Sequence, residues 1–340
     1  MNRNKSSVLL IVVVLLVFGI TAEKICNSST SSPTLNSQTG DSVVYIENGV
    51  SGVVSITDPF LNKTSDINVI YDPLDSGSGF IVNRDGYIVT AFHVVGDPLT
   101  IQDQGVLRLM GPSDIQLYLE RAAVSGYLSR YNSQLGSELM SNSTMSSPML
   151  QIQPDANTTT DMLNQQNLIH VKSAKQQIRV RLPGSGMGDY LNANLVDVGN
   201  PETSEDVALI KINALFTQLT PLTISSKNPG LNQNIWIFGY PVNTNETYSN
   251  ENVSSIQPST ATGTITNEIP NNGTLYYGTT AQTTHGFSGG PVLNSNGNVL
   301  GIIIYSLIYA NSSEQSGSVF ISSDYIIKLC SKNNISMNTV

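Results

Sequence analysis

Charge is scarce in this chain. Asp, Glu, Lys and Arg make up 12% of its 340 residues, with 25 acids against 16 bases and a net charge of −9 at pH 7. That balance argues against a surface made for nucleic acid or anionic lipid. Cysteine is nearly missing: Cys26 and Cys330 allow one disulfide at most. Of the three histidines, none stands at metal-ligand spacing from another His, Cys or carboxylate pair, so neither a metal nor another cofactor is expected. Nor is there an apolar run of the ~20 residues that a helix needs to span a bilayer; residues 8–20, "VLLIVVVLLVFGI", give thirteen.

Neutral polar residues fill the space that charges leave. Arg3 and Lys5 precede the apolar run and polar chain resumes at Thr21, the layout of an export signal. Residues 1–22 therefore read as a cleaved signal peptide or an uncleaved membrane anchor, and either places the bulk of the chain outside the cytoplasmic membrane, secreted or tethered to its outer face. Asn-x-Ser/Thr sequons at Asn27, Asn62, Asn142, Asn157, Asn245, Asn252, Asn272, Asn311 and Asn334 agree with export and with a glycosylated surface. In an oxidising compartment Cys26 and Cys330 could staple the two ends of the exported part together; the alternative is two free thiols.

Residues 23–41, rich in Ser, Thr and Asn without apolar period, read as a flexible linker. After them come short runs of Val, Ile, Tyr and Phe bounded by turn residues, from "SVVYI", "SGVVSI", "INVIY" and "SGFIV" to "NVLGIIIYSL" and "GSVFIS". Many short strands at near-regular spacing indicate antiparallel barrels or a sandwich, an all-β fold. Residues 112–139 break the texture. Ser113 and Gln116 stand at capping-box spacing, and Ile115, Leu119, Ala122, Ala123, Tyr127, Tyr131 and Leu135 recur at helical intervals. With a second short helix around 159–166, residues 98–172 read as a partly helical insertion, packed on the first barrel or gating the cleft.

Three stretches carry chemistry: "GSGFIVNRDGYIVTAFHVV" ends near His93, "SEDVALIKI" holds Asp206, and "THGFSGGPVLNSNGNVLGI" holds Ser288 among glycines. A serine hydroxyl is a weak nucleophile and needs a base to take its proton and a carboxylate to orient that base. His, Asp and Ser in that order match one known arrangement of the triad. Glu205 is the poorer acid, since its side chain should point to the opposite face from Asp206.

These stretches resemble the trypsin-like serine proteases of the chymotrypsin fold, and most of all the HtrA/Deg-type branch, over roughly residues 49–96 and 175–330; "SVFISSDYIIKL" resembles the stretch that closes that branch's second barrel. The resemblance implies two six-stranded antiparallel β-barrels in a protease domain over 42–330, the first over 42–215 with the insertion 98–172, the second over 216–330, and a tail at 331–340. It implies an endopeptidase working through an acyl-enzyme on protein or peptide substrates, with Ser288 as nucleophile, His93 as general base and acid, Asp206 as orienting carboxylate, and the N–H groups of Gly286 and Ser288 as oxyanion hole. Gln282 and Thr284 would bound one wall of the specificity pocket, and Ile303 and Ser306 the other; His285, beside the oxyanion turn, either lines the substrate cleft or is a solvated loop residue. Nothing acidic lies in either segment, which favours a small or medium apolar side chain on the acyl side of the cleaved bond over Lys or Arg.

Three departures stand out. Phe287 occupies the position before the serine where cleavage-activated relatives carry Asp, and there is no "IVGG"-like start, so activation by a new N-terminal amine is not expected. His93 and Asp206 lie 113 positions apart, far more than the family needs. The chain stops about ten residues after the last barrel stretch, so the PDZ module common in HtrA-type relatives is expected to be absent. The competing expectation is a protease-like fold without catalysis that serves as a glycosylated surface binding protein. Oligomeric state is not legible.

Overall fold

The computed structural model describes residues 39–59, 61–141, 155–186, 188–213, 218–241, 256–307 and 317–340. The N-terminal apolar segment, Cys26, the greater part of the expected linker and the sequons at Asn27, Asn142, Asn245, Asn252 and Asn311 lie outside these residues. Within them no helix is long and apolar enough to cross a membrane.

Six strands close the first barrel: β1 (Val43–Asp58), β2 (Lys63–Ile81), β3 (Tyr87–Thr90), β4 (Ile169–Arg181), β5 (Leu191–Val198) and β6 (Ala208–Ile212), in the order β1-β2-β3-β6-β5-β4. A short strand β7 (Thr223–Ile224) follows. The second barrel is formed by β8 (Asn234–Gly239), β9 (Ser259–Asn271), β10 (Thr274–Thr279), β11 (Pro291–Leu293), β12 (Val299–Leu307) and β13 (Gly317–Ser322). Its order is β11-β8-β9-β10-β13-β12, and pairing of β11 with β12 closes it. Both rings have the same circular order, the second repeating the first. β7 joins in parallel outside β12, and β14 (Asn338–Thr339) outside β7.

The sequence breaks the first hairpin into four short runs, but the chain makes two long strands of them. "SVVYI" and "SGVVSI" merge into β1 through Gly49, and "INVIY" and "SGFIV" merge into β2 through Pro73. Register shifts at Asn48/Gly49 and Val50/Gly52 absorb the irregularity, which is how a proline is accommodated inside a ladder. β1, β2 and β4 therefore run on past the barrel as a three-stranded extension.

The helices between β3 and β4 are α1 (Phe92–Val95), α2 (Pro98–Gln104), α3 (Pro112–Ser141) and α4 (Ala156–Gln165). Leu119, Ala123 and Val124 of α3 and Leu163 of α4 pack on Val50, Val54, Ile56 and Ile169 of the extension, an apolar cluster separate from the barrel interior. Fully burying a Val, Leu or Ile side chain is worth roughly 1.5–3 kcal/mol, which holds the helices to the sheet. The cap of α3 differs from the expected Ser113–Gln116 box. Pro112 opens the helix, the Asp114 carboxylate reaches back to the Gly111 N–H at 2.6 Å, and Gln116 donates to Glu120. Proline at the first helical position is favourable because its missing N–H would be unsatisfied there anyway.

The last helix, α5 (Ser323–Lys332), is capped by the Ser322 hydroxyl and packs on β12 and β13. Cys330 is buried in it with no disulfide partner among the described residues, and burial pushes its thiol up to about 11; the expected pairing with Cys26 lies outside those residues. The four sequon asparagines among the described residues, Asn62, Asn157, Asn272 and Asn334, are all exposed.

Candidate active site

β3 delivers α1, a single helical turn whose Phe92, Val94 and Val95 are buried, leaving the His93 side chain 18% exposed on the other face. The C-terminal end of that turn is tied down twice. The Asn48 amide donates to the Gly96 carbonyl at 3.0 Å, and the Gln176 amide to the Val95 carbonyl at 2.9 Å, so β1 and β4 hold the helix from behind. Asp97, buried just beyond, accepts from Thr100 at 2.6 Å, from Tyr118 of α3 at 2.6 Å, and from Arg108. Burial opposes ionisation of Asp97, but these donors outweigh it and keep its pKa below the ordinary carboxylate value.

Asp206 stands two residues before β6, after a turn in which Ser204 takes a left-handed conformation. Its carboxylate grips His93 twice: Oδ1 accepts the backbone N–H at 3.0 Å and Oδ2 meets ring Nδ1 at 2.7 Å. That contact fixes the neutral ring with its proton on Nδ1 and leaves Nε2 as the acceptor. Burial disfavours the imidazolium, but the charge and hydrogen bond of Asp206, assisted by Asp75, more than offset it, and the His93 pKa is raised. Glu205 turns away, to Lys328 at 2.6 Å and the Asn200 N–H at 3.1 Å, as alternation predicts.

Ser288 lies in the turn ahead of β11. The turn is latched to the first barrel by Ser78 of β2, whose N–H donates to the Ser288 carbonyl at 2.7 Å and whose hydroxyl donates to the Gly286 carbonyl at 2.6 Å. Gly289, at φ 82°, fits against the start of α1: a methyl there would lie 2.2 Å from the Ser78 carbonyl and 2.7 Å from the Ala91 nitrogen. No side chain could occupy that space. Gly77 is held between the Val94 side chain and the Ser288 carbonyl, which places the serine turn directly beside the histidine turn. Gly286 has φ 96°, open to glycine at little cost, and the N–H groups of Gly286 and Ser288 donate to no acceptor among the described residues.

The Ser288 hydroxyl donates to the Ile304 carbonyl at 3.0 Å, and the described contacts include no hydrogen bond from it to His93. Ile304 falls at a register irregularity between β12 and β13, which releases its carbonyl from the ladder. The structure thus joins His93 to Asp206, sets the Ser288 turn against α1, and leaves the hydroxyl on the Ile304 carbonyl.

Around this centre Gln282, Thr284 and His285 are exposed, and Ile303 is buried inside the second barrel with Phe287 and Phe320. Ser306 pairs with Ser318 across β12 and β13; its side chain is outside the described residues. The position of Phe287 answers what a phenylalanine does before the serine: it is a core residue that plugs the turn into the second barrel against Ile235, Ile237 and Val292. Two residues escaped the sequence reading. Ser78 sits inside the "GSGF" stretch but had no motif role. Asp75, three residues earlier on β2, has a raised pKa because burial outweighs the pull of His93 and His285, with Asp206 pushing it further up. Only its nearness to the "GSGF" block could have drawn notice.

The family model for the trypsin-like peptidase domain matches residues 77–302, roughly two thirds of the chain. A search of curated proteins gives no match.

Proposed function

The chain belongs to the trypsin-like peptidase family, and from that premise we propose that it is a serine endopeptidase that cleaves protein or peptide substrates through an acyl-enzyme. His93 takes the proton of Ser288 on Nε2 as the hydroxyl attacks the scissile carbonyl, and gives it to the departing amine. Asp206 holds the ring and stabilises the imidazolium. The amides of Gly286 and Ser288 receive the oxyanion, where one such donor is worth about 3 kcal/mol. Before attack, one χ1 rotation moves the hydroxyl from the Ile304 carbonyl to His93, a side-chain step that is fast against turnover.

The observation that carries this reading is the two-point grip of Asp206 on His93 beside the latched Ser288 turn. The quoted sequence blocks support the HtrA/Deg-type branch. The basic residues ahead of the apolar segment 8–20, and the exposed sequons, support an exported, glycosylated protein, secreted or membrane-tethered. The absence of acid in 282–284 and 303–306 supports a small or medium apolar residue on the acyl side.

The competing reading, a non-catalytic binding protein, rests on the hydrogen bond that turns Ser288 away from His93. A fluorophosphonate probe separates the two. Labelling of the folded protein that vanishes in Ser288→Ala, with peptide hydrolysis down by about 10⁶-fold, is the expected result; a folded protein that takes up no label rules the enzyme out.

A further inference from the structure

Asp75 is an ionisable group at the site for which the reaction above has no use. Its side chain is 17% exposed. One oxygen accepts the Ser76 N–H at 2.7 Å and lies 3.8 Å from His285 Nε2, too far for a hydrogen bond. The second oxygen has no partner among the described residues. His285 is a poor counter-ion, since its side chain is 66% exposed and contacts at that distance in solvent are weak. A largely desolvated carboxylate with a vacant oxygen is half of an ion pair, because burying such a charge is unfavourable until a cation joins it.

The place of Asp75 in the fold says where that cation would come from. It lies three residues before Ser78 on β2, the residue that latches the nucleophile turn; its Oδ1 stands 3.8 Å from His285 Nε2, and its charge acts on His93. In the proposed reaction the leaving amine must lie beside His93, which hands it a proton. The acyl-side segments carry no acid, so a cation has no counterpart there.

We propose that Asp75, with His285 at its rim, forms a subsite for a lysine or arginine side chain in the leaving segment of the substrate, within the first two residues after the cleaved bond. The vacant oxygen accepts the ammonium or guanidinium, and the exposed His285 moves aside. This rests on the peptidase reading. It makes the enzyme selective on both sides of the bond: apolar on the acyl side, basic on the leaving side.

The test uses peptides identical up to the cleaved bond, with Lys, Arg, Ala or Glu at each of the next two positions, and reads ratios of kcat/KM within one enzyme. Lys and Arg peptides are expected to exceed the Ala peptide about tenfold or more at one position, as for a charge-assisted hydrogen bond, with Glu below Ala. Asp75→Asn should bring the three ratios close to one. If that variant fails to fold, the wild-type preference for Lys over Ala should shrink as salt is raised to about 0.5 M, because charge pairing is screened. Equal rates for Lys, Ala and Glu peptides, or a preference that survives Asp75→Asn or high salt, overturn the subsite. Fluorophosphonate labelling of each sample tells the failures apart: an enzyme that labels but shows no preference removes the subsite alone, and one that neither labels nor cleaves removes the peptidase reading and the subsite with it.

Discussion

Both barrels wind their six strands in the same circular order, yet they furnish the site with different materials. The first contributes side chains that act by charge: His93 on α1, Asp206 ahead of β6 and Asp75 on β2, each largely buried, with Asp206 and Asp75 both acting on His93. It is also the barrel with the long strands, the packed helices and the Asp97–Tyr118–Arg108 cluster behind the histidine. The second contributes backbone: two unclaimed amides, a glycine at φ 96°, a carbonyl displaced at a strand irregularity, and one hydroxyl, all seated by Phe287 in an apolar interior. Electrostatic function needs groups fixed against their own repulsion and desolvation, so that half is heavily braced. Amide function needs only the correct main-chain path, which glycine and one buried anchor can secure.

The contrast can be broken by experiment. The largest effect after loss of Ser288 is expected for Asp206→Asn, which keeps shape and removes charge: kcat should fall about 10⁴-fold. In the wild type, activity requires neutral His93, whose pKa is raised above the ordinary 6.5, so the rate should be lost as pH falls through that raised value. The accompanying stability runs the other way, present below the unfolded value and lost as pH rises through the folded one. In Asp206→Asn the acid limb of the pH–rate profile should move down, since burial remains and the main opposing charge is gone. An unshifted limb would mean that Asp206 does not set the histidine.

Gly286→Ala is the matching probe of the second barrel. A side chain at φ 96° is strained, and shifting that amide should reduce kcat by about 10²–10³-fold while the limb of the pH profile stays where it was. A shift of the limb would show that the two halves are not separable as charge and backbone. The smallest effect is expected for Tyr118→Phe, which removes one donor to buried Asp97 and should cost about 1–3 kcal/mol in thermal or denaturant unfolding, with kcat changed no more than a few-fold. A loss of rate as large as that of Gly286→Ala would show that the insertion governs the histidine turn rather than bracing it.

Much of this was legible in local sequence because the relevant signals are local. The run of residues 112–139 has a helical period, and α3 follows it; Glu205 and Asp206 alternate faces as neighbouring residues in extended chain must. The merging of four short runs into β1 and β2 was not legible, because glycine and proline punctuate sequence identically whether a strand ends or bulges. The spacing places the start of α3 two positions too late: Gly111 and Asp114 take the places that it gives to Ser113 and Gln116, and a Gly at the first of them carries no side-chain signal. Phe287 and Asp75 gave no local sign of their surroundings, since one faces the interior of a barrel and the other a pair of histidines that lie 18 and 210 positions further along the chain.

The β texture, the place of the helical insertion, and the three segments with the residue types that acyl transfer requires could all be read along the chain, because each depends on neighbours a few positions apart. Folding alone set the rest: Asp206 holds His93 at two points, Ser78 ties the Ser288 turn to the other barrel, Asp75 is left with an open oxygen, and the serine hydroxyl finds the Ile304 carbonyl. Those outcomes depend on distances between groups brought together by barrel closure and on the burial that closure imposes, quantities that no short window of sequence contains.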